Sequence, residues 1–215
     1  MKKHKFLLAV CSLLILSLSA CNQTNSNTTT PKNSDAKGTT GGNVKTAVKP
    51  APDAQVAVIE TNDYGRIVVE LYPNIAPQMV ERFKKLASEG FYNGTTFHRI
   101  DPQLGIIQGG DPLSKDNNPN NDGTGSSPYP NVPAEFSDLP FERGTVGAAR
   151  AQDVNSANCQ FYITLKRQPE FDKRYTVFGK VIEGLNAADV IAGAPVREGT
   201  DHPADKIVIK SVNLR

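Results

Sequence analysis

Phe97-His98-Arg99-Ile100, followed by Ile107-Gln108-Gly109-Gly110-Asp111, is the stretch on which the reading of this chain turns. It spans two short strand-like runs, Thr96–Ile100 and Gly105–Gln108. Toward the N-terminus, Ala76–Glu89 predicts a helix. Met79, Val80, Phe83, Leu86 and Ala87 share one face, Pro77 suits the first turn and Gly90 suits the stop. Before it, Val56–Thr61 and Arg66–Tyr72 predict a hairpin turning at Asn62-Asp63-Tyr64-Gly65. Toward the C-terminus, strand-like runs fall at Gly144–Ala149, Gln160–Leu165 and Thr176–Val181. A short helix follows at Gly184–Ile191, and Ile207 to Val212 closes the chain with a strand. Residues 111–143 are dense in Asn, Asp, Gly, Ser and Pro, which predicts a long loop over a scaffold rather than a second domain. Many short strands and only two helices argue for a mainly β fold, an antiparallel barrel.

Outward of this domain, the first residues read as a targeting segment. Lys2, Lys3 and Lys5 precede an apolar run, Phe6–Leu18, that is too short to span a bilayer stably, and small residues lead to Cys21. Leu18-Ser19-Ala20-Cys21 resembles the lipobox of bacterial lipoproteins, where the cysteine is acylated and becomes the mature N-terminus. Residues 1–20 are therefore expected to be a signal peptide. Residues 21–54 are expected to be a lipidated Cys21 and a flexible linker, because they carry almost no large apolar side chains to offset their ordering entropy. Residues 55–215 are expected to form one domain. The location expected for such a chain is extracytoplasmic, on a bacterial membrane.

Charge and cysteine use exclude several classes. Leader and linker hold seven Lys and two Asp, which leaves 17 basic and 20 acidic side chains in the domain, so no nucleic-acid surface is expected. Cys11 falls in the leader and Cys21 takes the lipid, so only Cys159 is left and no disulfide can form within the domain. His98 and His202 lie far apart in sequence, and no Cys/His cluster suggests zinc.

Two further motifs complete the set. Gly144-Thr145-Val146-Gly147-Ala148-Ala149-Arg150 leads to Asn155-Ser156-Ala157-Asn158-Cys159-Gln160-Phe161-Tyr162-Ile163, and Phe171-Asp172-Lys173-Arg174-Tyr175-Thr176-Val177-Phe178-Gly179-Lys180-Val181 follows. In this order and spacing the three motifs resemble the cyclophilin family, and the resemblance covers residues 55–215. It implies an eight-stranded antiparallel closed barrel capped by two α-helices. It also implies a shallow outer groove for a Xaa-Pro segment and prolyl cis-trans isomerase activity, with no cofactor and no metal. The partners it implies are proline-containing polypeptides, here unfolded exported proteins, met by a monomer.

The chemistry is rotation about an amide whose barrier is about 20 kcal/mol, because the nitrogen lone pair is conjugated with the carbonyl. No covalent bond breaks. What accelerates rotation is a fixed cation that donates a hydrogen bond to the amide nitrogen as it becomes pyramidal. By resemblance Arg99 is that donor, and Gln108 orients the substrate backbone. Ile106, Leu104, Tyr162, Phe171 and Tyr175 would wall the proline pocket, with Ala149 and Arg150 beside the substrate. Tyr162 stands where the family has Phe, so its hydroxyl needs water or a partner. The segment from Arg99 to Gln108 is one residue longer than usual, with Leu104-Gly105-Ile106 where Phe-Met is common. Glu170 stands where some members have Trp, so weak binding of cyclosporin-type macrolactams is expected. His98 has no proton to abstract here and is expected to be a hydrogen-bonded structural residue, and Cys159 is expected to be buried. The competing reading is a cyclophilin-like module that binds peptide with little turnover; a hollow small-ligand carrier is more remote, because the Val/Ile/Phe-rich strands can fill a barrel.

Overall fold

The computed structural model describes residues 43–215, so the stretch expected to be a signal peptide, Cys21 and residues 22–42 of the expected linker lie outside the described residues. The strands are β1 Val56–Thr61, β2 Arg66–Leu71, β3 Phe97–Asp101, β4 Ile106–Gly109, β5 Thr145–Ala148, β6 Phe161–Thr164, β7 Val177–Glu183 and β8 Ile209–Leu214. The helices are α1 Pro77–Ser88 and α2 Leu185–Ala192. Short 3-10 turns cover Pro112–Lys115 and Pro169–Phe171. The predicted elements are all present, with ends shifted by a residue or two. The strands form one antiparallel sheet in the order β3-β4-β6-β5-β7-β2-β1-β8.

This order has two ends, β3 and β8, where a closed barrel has none. The curled sheet brings them together just outside both strands, through a single antiparallel bridge between Thr96 and Val208. Phe97 N–H donates to Ile207 O at 2.9 Å and Ile209 N–H to Thr95 O at 2.7 Å. Closure by a full ladder, as the resemblance implies, is therefore replaced by contact over a few residues.

The interior is filled by alternate strand residues, as pleated backbone dictates. Ile59, Ile67, Val69, Phe97, Ile107, Val146, Phe161, Ile163 and Phe178 all face inward and are buried. Helix α1 closes one end by inserting Phe83, whose ring lies 5.1–5.6 Å from those of Tyr92, Phe161 and Phe178.

The start of α1 is capped from a distance. Ala76 offers no side-chain acceptor, so the first N–H groups look elsewhere. Glu135 supplies both oxygens, accepting from Gln78 N at 3.1 Å and Met79 N at 3.0 Å. Hydrogen bonds to a buried charge outweigh neutral ones, so Glu135→Ala is expected to lower the unfolding free energy by about 2 kcal/mol in urea titration. Glu135→Gln, which keeps one acceptor, is expected to cost less.

One boundary is corrected. Residues 43–54, counted with the flexible linker, run bonded across the domain. Lys45 pairs in parallel with Ser137, and its ammonium donates to Ile75 O at 2.8 Å. Ala51 N–H donates to Asn74 Oδ1 at 2.9 Å, and Asp53 pairs with Lys84 at 2.9 Å. Val48 packs on the cluster under the site. A polar strip without a core of its own is ordered here by backbone pairing to a preformed surface.

Candidate active site

Strand register decides which side chains face outward together. Gln108 stands opposite Tyr162 on β6, and Tyr162 opposite Gly147 on β5. Directly opposed residues share a face. The row therefore lies outside, while Ile107 and Ile163 alternate inward. On the other side, Phe97 pairs with Gly109, but Arg99 pairs with Gln108. A β-bulge at His98 absorbs one residue. In a regular strand Arg99 would follow Phe97 into the core; the bulge turns it out to the row of Gln108.

Gly147 has a reason to be glycine. A Cβ there would collide with the Tyr162 ring and hydroxyl and lie 2.8 Å from Phe141 Cε1. The Tyr162 ring is almost fully covered, with ring centroids of Phe141, Phe171 and Tyr175 at 5.9, 5.6 and 6.0 Å. Its hydroxyl finds no hydrogen-bond partner among the described residues. Ile106 is buried in the same cluster, and Leu104, Ala149, Phe171 and Tyr175 pack half-buried against it. The expected pocket residues are thus brought together, with the rings packed on one another.

Arg99 is part exposed, at 35% of its side chain. Its guanidinium reaches Asp101 Oδ2 at 2.7 Å and Asp201 Oδ2 at 3.2 Å, with Gln108 Oε1 at 3.5 Å. Gln108 donates to Gln160 Oε1 at 3.0 Å. Gln160 in turn donates to Gly123 O and Gly125 O at 3.0 and 2.9 Å. Buried Asp111 holds the same loop by accepting from the N–H groups of Leu113, Gly123 and Gly125. Gln160, Asp101, Asp111 and Asp201 were without a role in the sequence reading. Gln160 had a usable signal, since it sits one residue before Phe161 in the second motif; Asp201, 102 residues from Arg99, had none.

Two cavities meet at Gln108 and Arg150. One, of about 360 Å³, is bordered by Gly123, Gly125, Ala149 and Asn158; the other, of about 470 Å³, by Arg99, Asp122, Asp201 and His202. Arg150 already bonds Ala151 O and Arg174 O at 2.9 and 3.2 Å and lies 4.5 Å over the Tyr175 ring. Those bonds hold the Arg150 guanidinium over Tyr175, a half-buried ring of the cluster. Glu170 is exposed beside Arg174.

His98 departs from expectation. It is 3% exposed, yet neither ring nitrogen has a hydrogen-bond partner among the described residues. Burial pushes its pKa from 6.5 down to about 4. Between those values the unfolded chain binds more protons, so stability is full above pH 6.5 and drains as pH falls toward 4. The loss expected from this group is about 3 kcal/mol between pH 7 and pH 4. Urea unfolding at both pH values measures it, and His98→Gln is expected to flatten the slope. Cys159 is fully buried, as expected, and burial pushes its thiol up to about 12, so it is a poor nucleophile at neutral pH.

Comparison with known proteins bears on this geometry. The family model described as "Cyclophilin type peptidyl-prolyl cis-trans isomerase/CLD" matches residues 56–214. A probable peptidyl-prolyl cis-trans isomerase of Brucella suis is 43% identical over 172 residues, covering 78% of this chain and 86% of that protein. Peptidyl-prolyl cis-trans isomerase-like 3 of Gallus gallus is 35% identical over 165 residues, covering 74% and 96%. The crystal structure of a Cryptosporidium parvum cyclophilin-type isomerase in the presence of the dipeptide Ala-Pro superposes with a TM-score of 0.66 at 30% identity, over 74% of this chain and 98% of that one. With a family match spanning the whole sheet and an arginine–glutamine pair turned out beside an open groove, the chain belongs to the cyclophilin-type peptidyl-prolyl cis-trans isomerases and shares their activity.

Proposed function

We propose that this isomerase acts on exported polypeptides outside the cytoplasm, held to the membrane by a lipid on Cys21, with Arg99 as the catalytic donor. The observation that carries the catalytic part is the outward pairing of Arg99 with Gln108 beside the groove. A Xaa-Pro segment lies there with its amide nitrogen toward the guanidinium and its carbonyl side toward the Gln108 amide. The planar amide offers that nitrogen no free lone pair; the twisted amide does. The hydrogen bond therefore forms in the transition state and not in either ground state. The proline ring rests on the Tyr162–Phe171–Tyr175 cluster, and the Cryptosporidium structure determined in the presence of Ala-Pro supports a proline-containing peptide as ligand.

The short contact between Thr96 and Val208 is read as the seam of a barrel in this family's sense. Exported chains emerge unfolded, and slow prolyl isomerisation limits their folding. Proline-limited refolding of a model substrate tests the activity, with a rate proportional to enzyme concentration as the expected result. Peptide binding without acceleration would favour the binding-module reading. Anchoring has its own test. Cells expressing Cys21→Ser are expected to release the chain from the membrane fraction, and unchanged partitioning would remove the anchor.

A further inference from the structure

The geometry points to Asp101 and Asp201 as positioning residues that clamp the Arg99 guanidinium in its working orientation. The inference rests on the proposed role of Arg99. An arginine that is 35% exposed at its side chain samples many rotamers unless something holds it. Here two carboxylates hold two different parts of the fork. Asp101 takes an N–H of Nη2 at 2.7 Å and Asp201 takes Nε–H at 3.2 Å. Nη1 is left toward Gln108, at 3.5 Å from its oxygen, on the side of the cavity.

The Asp101 carboxylate is itself fixed, and the backbone that carries Asp201 is fixed. Asp101 is two residues along β3 from Arg99, on the same face, and its side chain is 10% exposed. Its second oxygen accepts Leu104 N–H at 2.8 Å, which ties the clamp to the longer turn between β3 and β4. Asp201 comes from the loop before β8. Its carbonyl accepts Ile100 N–H at 2.7 Å, and the loop is closed by the Val196–Pro203 bridge and by Arg197 N–H on His202 O at 2.9 Å. The loop thus docks on the free edge of β3 and delivers a carboxylate beside the arginine.

Two opposing effects follow. The carboxylates weaken the positive potential felt by the amide nitrogen, and they remove the rotational freedom that would misplace the donor. Misplacement by about 1 Å costs on the order of 10²-fold in rate, whereas screening between part-exposed charges is modest, so positioning prevails. A planar fork suits a clamp that holds one part and presents another, which a point charge cannot do.

The test uses the full chain with a Xaa-Pro peptide, comparing wild type, Asp101→Asn, Asp201→Asn, the double variant and Arg99→Ala. The amide introduced by Asp101→Asn keeps an acceptor for Leu104 N–H, so the turn should survive; thermal unfolding checks it. Asp101→Asn is expected to lower kcat about tenfold with KM within twofold, and the more exposed Asp201→Asn about threefold. The Arg99 Nε–H resonance is expected to move in both variants toward the position of free arginine, which reports that the clamp is lost, while a fall in kcat at unchanged KM in a folded variant is what a merely stabilising role would not produce. Wild-type or higher kcat in Asp201→Asn and in a folded Asp101→Asn overturns the clamp. If Asp101→Asn does not fold, kcat and the Nε–H resonance of Asp201→Asn decide. Full activity in Arg99→Ala overturns the role of Arg99 instead, and the two failures are thereby distinct.

Discussion

Arg99→Ala is expected to lower kcat/KM for a Xaa-Pro peptide by about 10²–10³-fold, the range found when one preorganised donor to a developing charge is removed. In free energy this is about 3–4 kcal/mol, a minor part of a barrier of about 20 kcal/mol. The loss should fall mainly on kcat. The hydrogen bond exists only when the nitrogen is pyramidal, so peptide binding, which rests on the ring cluster and Gln108, changes little. Arg99→Lys keeps the charge and loses the fork. An ammonium cannot span Asp101, Asp201 and a substrate at once, so its activity should lie between wild type and Ala. Stability should fall modestly: the pair with Asp201 is part exposed and contributes little, whereas Asp101 is nearly buried and loses its counter-charge. Coupled-protease or exchange measurements read the rates. Wild-type kcat/KM in the Ala variant would remove Arg99 from the mechanism.

Phe161→Ala is expected to be the most destabilising single truncation near the site, at about 3–5 kcal/mol. Phe161 is fully buried, and its ring lies edge-on to Phe83, Tyr92 and Phe97 at 5.6, 5.8 and 6.1 Å. These are residues of α1, of the turn after it and of β3, so one ring joins the capping helix to the strand that carries Arg99. The cavity left cannot collapse, because sheet and helix fix its walls. For a domain of this size the midpoint of thermal unfolding should drop by about 10 °C. Tyr162→Phe, one residue along and on the opposite face, should be neutral or stabilising. It removes a buried hydroxyl without a partner and keeps the ring. Calorimetry on the two variants tests the division of β6 into a structural and a functional face.

Much of this was legible in the chain. The strand and helix spans followed from periodicity, and so did the buried face of α1, with Met79, Val80, Phe83, Leu86 and Ala87. The arginine and glutamine could be named because three motifs stood in order. The face on which Arg99 emerges could not be named. Phe97-His98-Arg99 reads as a regular strand, and on a regular strand Phe97 and Arg99 share a side.

What the sequence by itself determined is the set of local choices: which segments extend, which coil, and which residues are apolar enough to be covered. These depend on backbone propensity and on side-chain period, both written within a few residues. What only the tertiary structure decided is the site's orientation: the bulge at His98, the arrival of Asp201 against β3, and the docking of residues 43–54 on the domain. Each depends on hydrogen bonds between segments far apart in the chain, and such pairings are chosen by the geometry of the curled sheet rather than by any local pattern.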